Sequence, residues 1–190
     1  VQIIGKDGVF QSTADLIAYS YDGTFEEHRP DIVLLPKTTE QVSQVVRLAA
    51  SQHIPVVTRG MGSGLAAASV PFNGGIVLSL TRMNRLLEID EQNAVAHVEA
   101  GIITADLQAE VEKRGLFYPP DPSSNRHSTI GGNIACNAGG PRCLKYGVTG
   151  DYVLGLTVVL ADGQVLRTGS KAIKDVVGYD LTALFTGSEG

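Results

Sequence analysis

The sequence has few of the residues that would indicate a disulfide framework or a metal site. Its two cysteines, Cys136 and Cys143, lack the paired spacing of a zinc site or a disulfide framework, and nothing near them marks a reactive thiolate. The four histidines stand far apart, with no i, i+4 pair or carboxylate at ligand spacing: His28, His53, His97 and His127. We therefore predict no metal and a reducing compartment, and we interpret the histidines as surface or structural residues.

Positive charge and long apolar runs are also scarce. The 15 Lys and Arg against 20 Asp and Glu give a net charge of -5, and the basic residues are scattered, which argues against a nucleic-acid partner. Residues 1–7 show no basic region followed by an apolar one, and no stretch approaches the roughly 20 apolar residues of a membrane helix. We predict a soluble, cytoplasmic protein without a transmembrane segment; peripheral attachment to the inner face of the membrane is an alternative.

Two familiar phosphate-binding patterns are missing. The Gly-Lys-Ser/Thr of a Walker A loop appears nowhere, which argues against nucleoside triphosphate hydrolysis. The dinucleotide pattern G-x-G-x-x-G would need glycine at position 65, where Leu65 stands. An ordinary Rossmann NAD site is therefore disfavoured.

Glycine, by contrast, is abundant, with 22 in 190 residues. Three glycines at alternate positions directly follow an apolar run at 54–58. Glycine lets backbone N–H groups approach an anion closely, so we predict a phosphate cradle here, with a plain tight loop as the alternative. The residues of this first loop are Arg59, Gly60, Met61, Gly62, Ser63, Gly64 and Leu65.

Local patterns predict an α+β fold. A capping box at Thr38 to Gln41 starts a helix, and apolar runs at 31–36 and 54–58 flank it as parallel strands of a βαβ unit. Further strands are expected at 75–80, 85–90 and 94–100, and a helix at 104–114 that Gly115 caps. Asp162-Gly163 predicts a hairpin between strands 153–161 and 164–168.

We therefore predict two packed α/β subdomains, residues 1–101 and 102–190. The first contains a small parallel sheet with the βαβ unit, and the second contains a larger, mostly antiparallel sheet with helices. The cleft between two such subdomains is the natural ligand site.

A second loop system is expected from Tyr118 to Gly147. A loop of this length without regular structure is usually functional or disordered, and function is the better interpretation here. Its prolines stiffen the backbone, and its glycine pairs allow the backbone to lie against a flat or phosphate-bearing ligand. The candidate residues are Pro120, Asp121, Pro122, Ser123, Ser124, Thr129, Ile130, Gly131, Gly132, Asn133, Asn137, Ala138, Gly139 and Gly140.

Taken in order, these motifs resemble the PCMH-type FAD-binding domain of the vanillyl-alcohol oxidase superfamily. The resemblance is greatest to the branch of glycolate oxidase subunit GlcD and D-lactate dehydrogenase, and it covers the chain from about Asp31 onward. Besides both loops, it rests on Leu35-Pro36-Lys37-Thr38, Gly178-Tyr179-Asp180-Leu181 and Gly187-Ser188-Glu189-Gly190.

The resemblance implies that the first loop holds the FAD pyrophosphate through backbone N–H groups. The second loop system would lie along the ribityl chain and the flavin ring, with FAD in the cleft between the subdomains. The same resemblance adds Tyr146, Gly147 and Glu189 to the cofactor site. Some relatives attach flavin covalently through a histidine in the first loop, where this chain has Met61, so noncovalent FAD is expected.

The resemblance also implies that the parent enzyme oxidises a 2-hydroxy acid, of the glycolate or D-lactate type, by hydride transfer to flavin N5. In that branch, substrate-binding arginines and metal-binding histidines come from a later cap domain, which these 190 residues do not include, and no catalytic residue can be assigned here. Because the sequence stops in a turn-like string, we interpret it as truncated and expect weak FAD binding and no turnover by this chain alone.

Two alternatives stay open. One is a noncatalytic FAD-binding module that acts with a partner subunit, as one of the subunits of an oxidase complex. The other, which the long second loop system disfavours, is a cell-wall flavoenzyme that reduces an enolpyruvyl sugar nucleotide.

Overall fold

The structure, a computed structural model, describes residues 2–190, and within them it contains eight β-strands and six α-helices. The strands are β1 Val9–Phe10, β2 Ile32–Leu34, β3 Val56–Arg59, β4 Ile76–Ser79, β5 Leu86–Asp90, β6 Val95–Val98, β7 Gly155–Val159 and β8 Val165–Gly169. The helices are α1 Thr13–Ala18, α2 Thr39–Ser51, α3 Thr104–Glu112, α4 Ile130–Ala135, α5 Cys143–Tyr146 and α6 Leu181–Phe185. The mixture of a parallel-containing sheet with antiparallel pairs confirms the predicted α+β class. The expectation of a larger antiparallel sheet in the second subdomain was wrong, because β5-β6 and β7-β8 each form a separate two-stranded pair.

The chain divides into two compact units. Unit 1 comprises the residues up to Met83 together with Val158–Leu166, and unit 2 comprises Asn84–Thr157 together with Arg167–Gly190. Residues 84–101 therefore fall in unit 2, whereas the sequence grouped them with the N-terminal residues. The physical reason is a shared apolar core, in which side chains of β5 and β6 pack against Ile102, Leu107 and Val111.

The sheet of unit 1 has the strand order β1-β2-β4-β3. Strands β2 and β3 are both parallel to β4, and β1 is antiparallel to β2. The predicted crossover β2-α2-β3 is present, but β4 lies between its two strands. All four residues of β4 are buried, and a strand covered on both faces is expected in a sheet interior.

Helix α2 starts where its capping residues predict. The Thr38 hydroxyl accepts a hydrogen bond from the Gln41 N–H at 3.3 Å, and the Gln41 side chain accepts one from the Lys37 N–H at 2.7 Å. The buried face of the helix, Val42, Val45 and Ala49, packs in one cluster with Leu34, Ile76, Leu78 and Met83.

Strands β7 and β8 form the hairpin that Asp162-Gly163 predicts. Its turn is closed by Leu160 N–H donating to the Gln164 carbonyl at 2.8 Å. The tip rests on α2, because the Ser43 hydroxyl donates to the Gly163 carbonyl at 2.5 Å. A Cβ at Gly163 would lie 2.7 Å from the Ser43 carbonyl, so glycine is needed both for its φ of +80° and for this close approach.

Candidate functional site

The first loop leaves β3 at Arg59 and lies in unit 1. In the part of the chain that the structure describes, none of the backbone N–H groups of residues 60–69 donates a hydrogen bond to another protein group. Backbone N–H groups are strong hydrogen-bond donors, and successive N–H groups without a protein acceptor can form an anion-binding concavity. The loop therefore has the donors that a diphosphate requires.

Only Gly62 among the alternating glycines has a positive φ, +70°. A Cβ at this position would overlap the guanidinium of Arg59. At Gly64 an added Cβ would meet no protein atom within 4 Å. Gly62 thus sets the shape of the loop, whereas Gly64 leaves open space beside it.

Arg59, predicted as a cofactor residue, lies beneath this loop with 6% of its surface exposed. Its Nη1 donates to the Tyr21 carbonyl at 2.6 Å, and its guanidinium carbon stands 5.5 Å from the centre of the Tyr19 ring. Burial lowers the pKa of the guanidinium, but arginine stays protonated at neutral pH. Arg59 is therefore a buried cation that supports the loop.

A second support for the loop comes from residues 22–24, which the sequence analysis missed. Gly23 N–H donates to the Gly64 carbonyl at 3.0 Å. Asp22 fixes this turn, because one of its carboxylate oxygens accepts from the N–H and the hydroxyl of Thr24, at 2.9 and 2.6 Å. The pair Asp-Gly indicates a turn in the sequence, but no local pattern indicates what the turn touches.

The second loop system lies in unit 2 and contains two short helices, so the expectation of a loop without regular structure was wrong. Thr129 starts α4 by accepting from the Gly132 N–H at 3.2 Å. Gly131 N–H donates to the Ala100 carbonyl at 2.7 Å, and a Cβ there would lie 2.7 Å from the Ala100 Cβ. The glycines that suggested an irregular loop instead let α4 lie against the backbone at residue 100.

Two parts of the second loop system meet at Asp121. A Cβ at Gly140 would overlap the Asp121 carbonyl group, so the two backbones are in direct contact. The Asp121 carboxylate accepts from the Arg142 N–H at 3.1 Å and pairs with its guanidinium at 3.2 Å. On the other side, Gln108 of α3 donates to the Pro120 carbonyl at 2.8 Å. These contacts bring the predicted Pro120–Ser124 and Asn137–Gly140 segments together.

The predicted cofactor residues that are buried in unit 2 include Thr129, Ile130 and Asn133. The Asn133 amide donates to the Thr104 hydroxyl at 2.7 Å, and that hydroxyl lies 2.9 Å from the Ser128 hydroxyl. Ile130 belongs to the apolar core. These side chains hold α3 and α4 together, so any cofactor contact they make would come from the backbone.

The predicted Glu189 does lie beside α4. Its N–H donates to the Ala135 carbonyl at 2.7 Å, and Gly187 N–H donates to the Ile134 carbonyl at 2.9 Å. Partial burial of its sulfur, the larger cause, and the charge of Glu189, the smaller one, raise the pKa of the Cys136 thiol. Cys136 is therefore protonated at neutral pH and is a poor nucleophile.

Tyr146 and Gly147 end α5. The Tyr146 ring packs edge-on against Phe117 with 5.8 Å between ring centres. Gly147 has a φ of +84°, and a Cβ there would overlap the Asp151 carboxylate, which accepts from the Val148 N–H at 2.7 Å. Nearby, burial raises the pKa of Tyr118 to about 12. Tyr118 is therefore a hydrogen-bond donor at neutral pH rather than a base.

Other features bear on metals and membranes. Within residues 2–190, no three His, Cys, Asp or Glu side chains lie close enough together to hold a metal ion. None of the helices in that range is long and apolar enough to cross a bilayer. Cys136 and Cys143 are both free and exposed.

Comparison with known proteins identifies the family that this fold and these loops define. The family model described as an FAD binding domain matches residues 30–169, and the chain belongs to this family. FAD is therefore its cofactor, and the predicted membership of the vanillyl-alcohol oxidase superfamily is confirmed.

The chain is 51% identical, over its whole length, to glycolate oxidase subunit GlcD of Bacillus subtilis (strain 168), and it covers 41% of that protein. It is 43% identical to D-lactate dehydrogenase of Anaerostipes hadrus over 85% of the chain and 34% of the relative. Among solved structures, alkyldihydroxyacetonephosphate synthase superimposes with a TM-score of 0.85 at 24% identity, over 98% of this chain and 34% of that one. The chain thus spans about two fifths or less of the length of these relatives.

Proposed function

We propose that the chain is the FAD-binding part of an oxidoreductase that acts on a 2-hydroxy acid and binds FAD noncovalently. The observation that carries the proposal is the row of unpartnered N–H groups at residues 60–69, which fits a diphosphate. The substrate class is favoured by the names of two relatives, a glycolate oxidase subunit and a D-lactate dehydrogenase. Bound FAD would supply the hydride acceptor, flavin N5.

The residues of this chain would bind and orient that cofactor. We assign the pyrophosphate to Arg59–Leu65, mainly through backbone N–H groups. The ribityl chain and flavin ring are assigned to the second loop system, including Tyr146, Gly147 and Glu189. Noncovalent binding is supported by the first loop, which offers the thioether of Met61 and no histidine. No side chain of this chain is assigned as the proton acceptor for the substrate hydroxyl.

A titration of the purified chain with FAD tests the cofactor site. We expect a saturable change in flavin fluorescence and visible absorbance with FAD and a weaker change with FMN, because only FAD joins a diphosphate to a flavin. Release of all flavin from the loaded protein on acid precipitation would confirm that the bond is noncovalent. Equal binding of FMN and FAD would contradict the assignment of the first loop to the pyrophosphate.

Gly64 provides a more specific test. Because an added Cβ there meets no protein atom within 4 Å, Gly64→Ala should leave the thermal unfolding midpoint unchanged. The same methyl group would occupy the space beside the N–H row, so we expect the Kd for FAD to rise about tenfold. Ser63→Ala is the matched control, because it keeps the backbone N–H and should leave the Kd within about twofold. A Gly64→Ala protein that binds FAD normally would place the pyrophosphate elsewhere.

The substrate class is tested by mixing the FAD-loaded protein with glycolate, D-lactate and their enantiomeric or amino-acid analogues without oxygen. Bleaching of the flavin band by a 2-hydroxy acid in the full-length parent polypeptide is the expected result, and no bleaching is expected with the 190-residue chain. Bleaching by none of these acids in the parent would contradict the proposed substrate class.

A second candidate is a noncatalytic FAD-binding module that works with a partner. It is favoured by the word subunit in the name of the Bacillus subtilis relative. Assembly with other oxidase subunits, and attachment to the inner face of the membrane through them, belong to this candidate. Co-purification of the parent polypeptide with other oxidase subunits would support it, whereas turnover by the parent polypeptide alone would contradict it.

A further inference from the structure

Arg59 is a buried cation without a counter-ion. Only 6% of its surface is exposed, and within residues 2–190 no carboxylate forms an ion pair with it. A buried charge is costly unless it is paired or well hydrogen-bonded, and the guanidinium donates to a single protein acceptor, the Tyr21 carbonyl. Arg59 therefore has one backbone acceptor and no carboxylate partner among the described residues.

The nearest negative charge is engaged elsewhere. Asp22 is also buried, and its carboxylate accepts from Thr24 and, at 3.4 Å, from the hydroxyl of Ser69. It acts on Arg59 only through space. The aromatic ring of Tyr19 offers a weaker, uncharged partner at 5.5 Å.

The first loop also packs against the Arg59 guanidinium, on which Gly62 lies. The loop lies so close to the guanidinium that a Cβ at position 62 would overlap it, and the N–H groups of residues 60–69 have no protein partner. A positive charge on one side of a row of N–H dipoles makes that row more attractive to an anion on the other side.

We propose that Arg59 is a positioning residue for a diphosphate, one that shapes the first loop and supplies its positive charge without contacting the ligand. This inference rests on the proposed function, because it concerns how the same loop recognises its cofactor. The missing counter-ion of Arg59 is then the pyrophosphate itself, which lies on the far side of the loop backbone.

The test compares two Arg59 variants in the whole chain, with FAD and with ADP, which carries a diphosphate without a flavin. Arg59→Met keeps the length of the side chain and removes the charge, so the Kd for both ligands should rise about tenfold, or roughly 1.4 kcal/mol. Arg59→Lys keeps the charge and should stay within about threefold of wild type. The slope of log Kd against log salt concentration should be smaller for Arg59→Met than for the other two proteins, which a purely structural role would not produce.

A third variant decides the question if Arg59→Met does not fold. Asp22→Asn keeps an oxygen to accept from Thr24 but removes the negative charge beside Arg59, so FAD and ADP should bind about threefold more tightly. Unchanged or weaker binding by Asp22→Asn would overturn the proposal. A wild-type Kd for Arg59→Met would also overturn the proposal. An equal loss of FAD and ADP affinity in Arg59→Met and Arg59→Lys would overturn it as well. If the wild-type chain bound no FAD, the proposed function would fail together with this inference, whereas normal binding by Arg59→Met would remove the inference alone.

Discussion

Replacing Gly62 by alanine is expected to weaken FAD binding by at least about 100-fold, or roughly 2.7 kcal/mol. Two effects act together. The backbone has a φ of +70°, where an L side chain costs roughly 1 kcal/mol or more, and the new Cβ would overlap the buried guanidinium of Arg59. Relief of that overlap must move either the loop, which changes the shape of the row of N–H groups, or the Arg59 side chain, which takes its charge away from that row. Fluorescence titration with FAD measures the loss.

Gly115 provides the matched control for this prediction. It has nearly the same backbone conformation, with a φ of +72°, but an added Cβ there meets no atom within 4 Å. Gly115→Ala should therefore lower the unfolding midpoint by a few degrees, equivalent to roughly 1 kcal/mol, and leave the Kd for FAD unchanged. If both variants bind FAD equally well, the conformation of the first loop does not determine affinity.

Replacing Gly140 by alanine is expected to have the second largest effect. The added Cβ would overlap the carbonyl oxygen and carbon of Asp121, which belong to the backbone and cannot rotate away. The two parts of the second loop system would then separate, and the Asp121 contacts with Arg142 would be lost with them. We expect a destabilisation of about 2 to 3 kcal/mol, within the range seen for overpacking. FAD binding should weaken in the same variant.

The neighbouring glycine separates this clash from a general intolerance of alanine. A Cβ at Gly139 would make ordinary contacts, 3.6 Å from Val148 and 3.7 Å from Cys143. Gly139→Ala should therefore change the unfolding midpoint by less than about 2 °C, since surface substitutions usually stay within about 0.5 kcal/mol. Thermal unfolding, with and without FAD, measures both variants. Similar midpoints for the two would show that the contact between Gly140 and Asp121 does not hold the loops together.

The sequence predicts well those features that neighbouring residues determine. Thr38 and Gln41 start α2, and Asp162-Gly163 turns the β7–β8 hairpin, because each depends on hydrogen bonds and φ values within a few residues. The fold class follows from these same local signals. The insertion of β4 between β2 and β3 could not be predicted in this way, because strand order depends on contacts between distant segments.

The candidate site shows the same division between local and long-range information. The spacing of three glycines is enough to predict the loop after β3 as a candidate site. The support of this loop by Gly23 and by buried Arg59 cannot be predicted from the sequence, because the residues around either position do not specify its contact partner. The second loop system was misjudged in another respect. Gly131 and Gly132 indicate an irregular backbone locally, but Thr129 and the close approach to Ala100 stabilise a helix there.

The route of the backbone between the two units limits how this protein can be divided. Because Val158–Leu166 belongs to unit 1 while the residues on either side belong to unit 2, the backbone passes from one unit to the other three times. A polypeptide that stops at Met83 would leave the Ser43 hydroxyl without its Gly163 acceptor and uncover the apolar face that contacts Val159. A gene that encodes unit 1 alone would therefore need the codons for Val158–Leu166 joined after Met83 through a short linker. A recombination event that exchanged unit 1 between relatives would likewise need, besides a crossover after Met83, two further crossovers that flank Val158–Leu166.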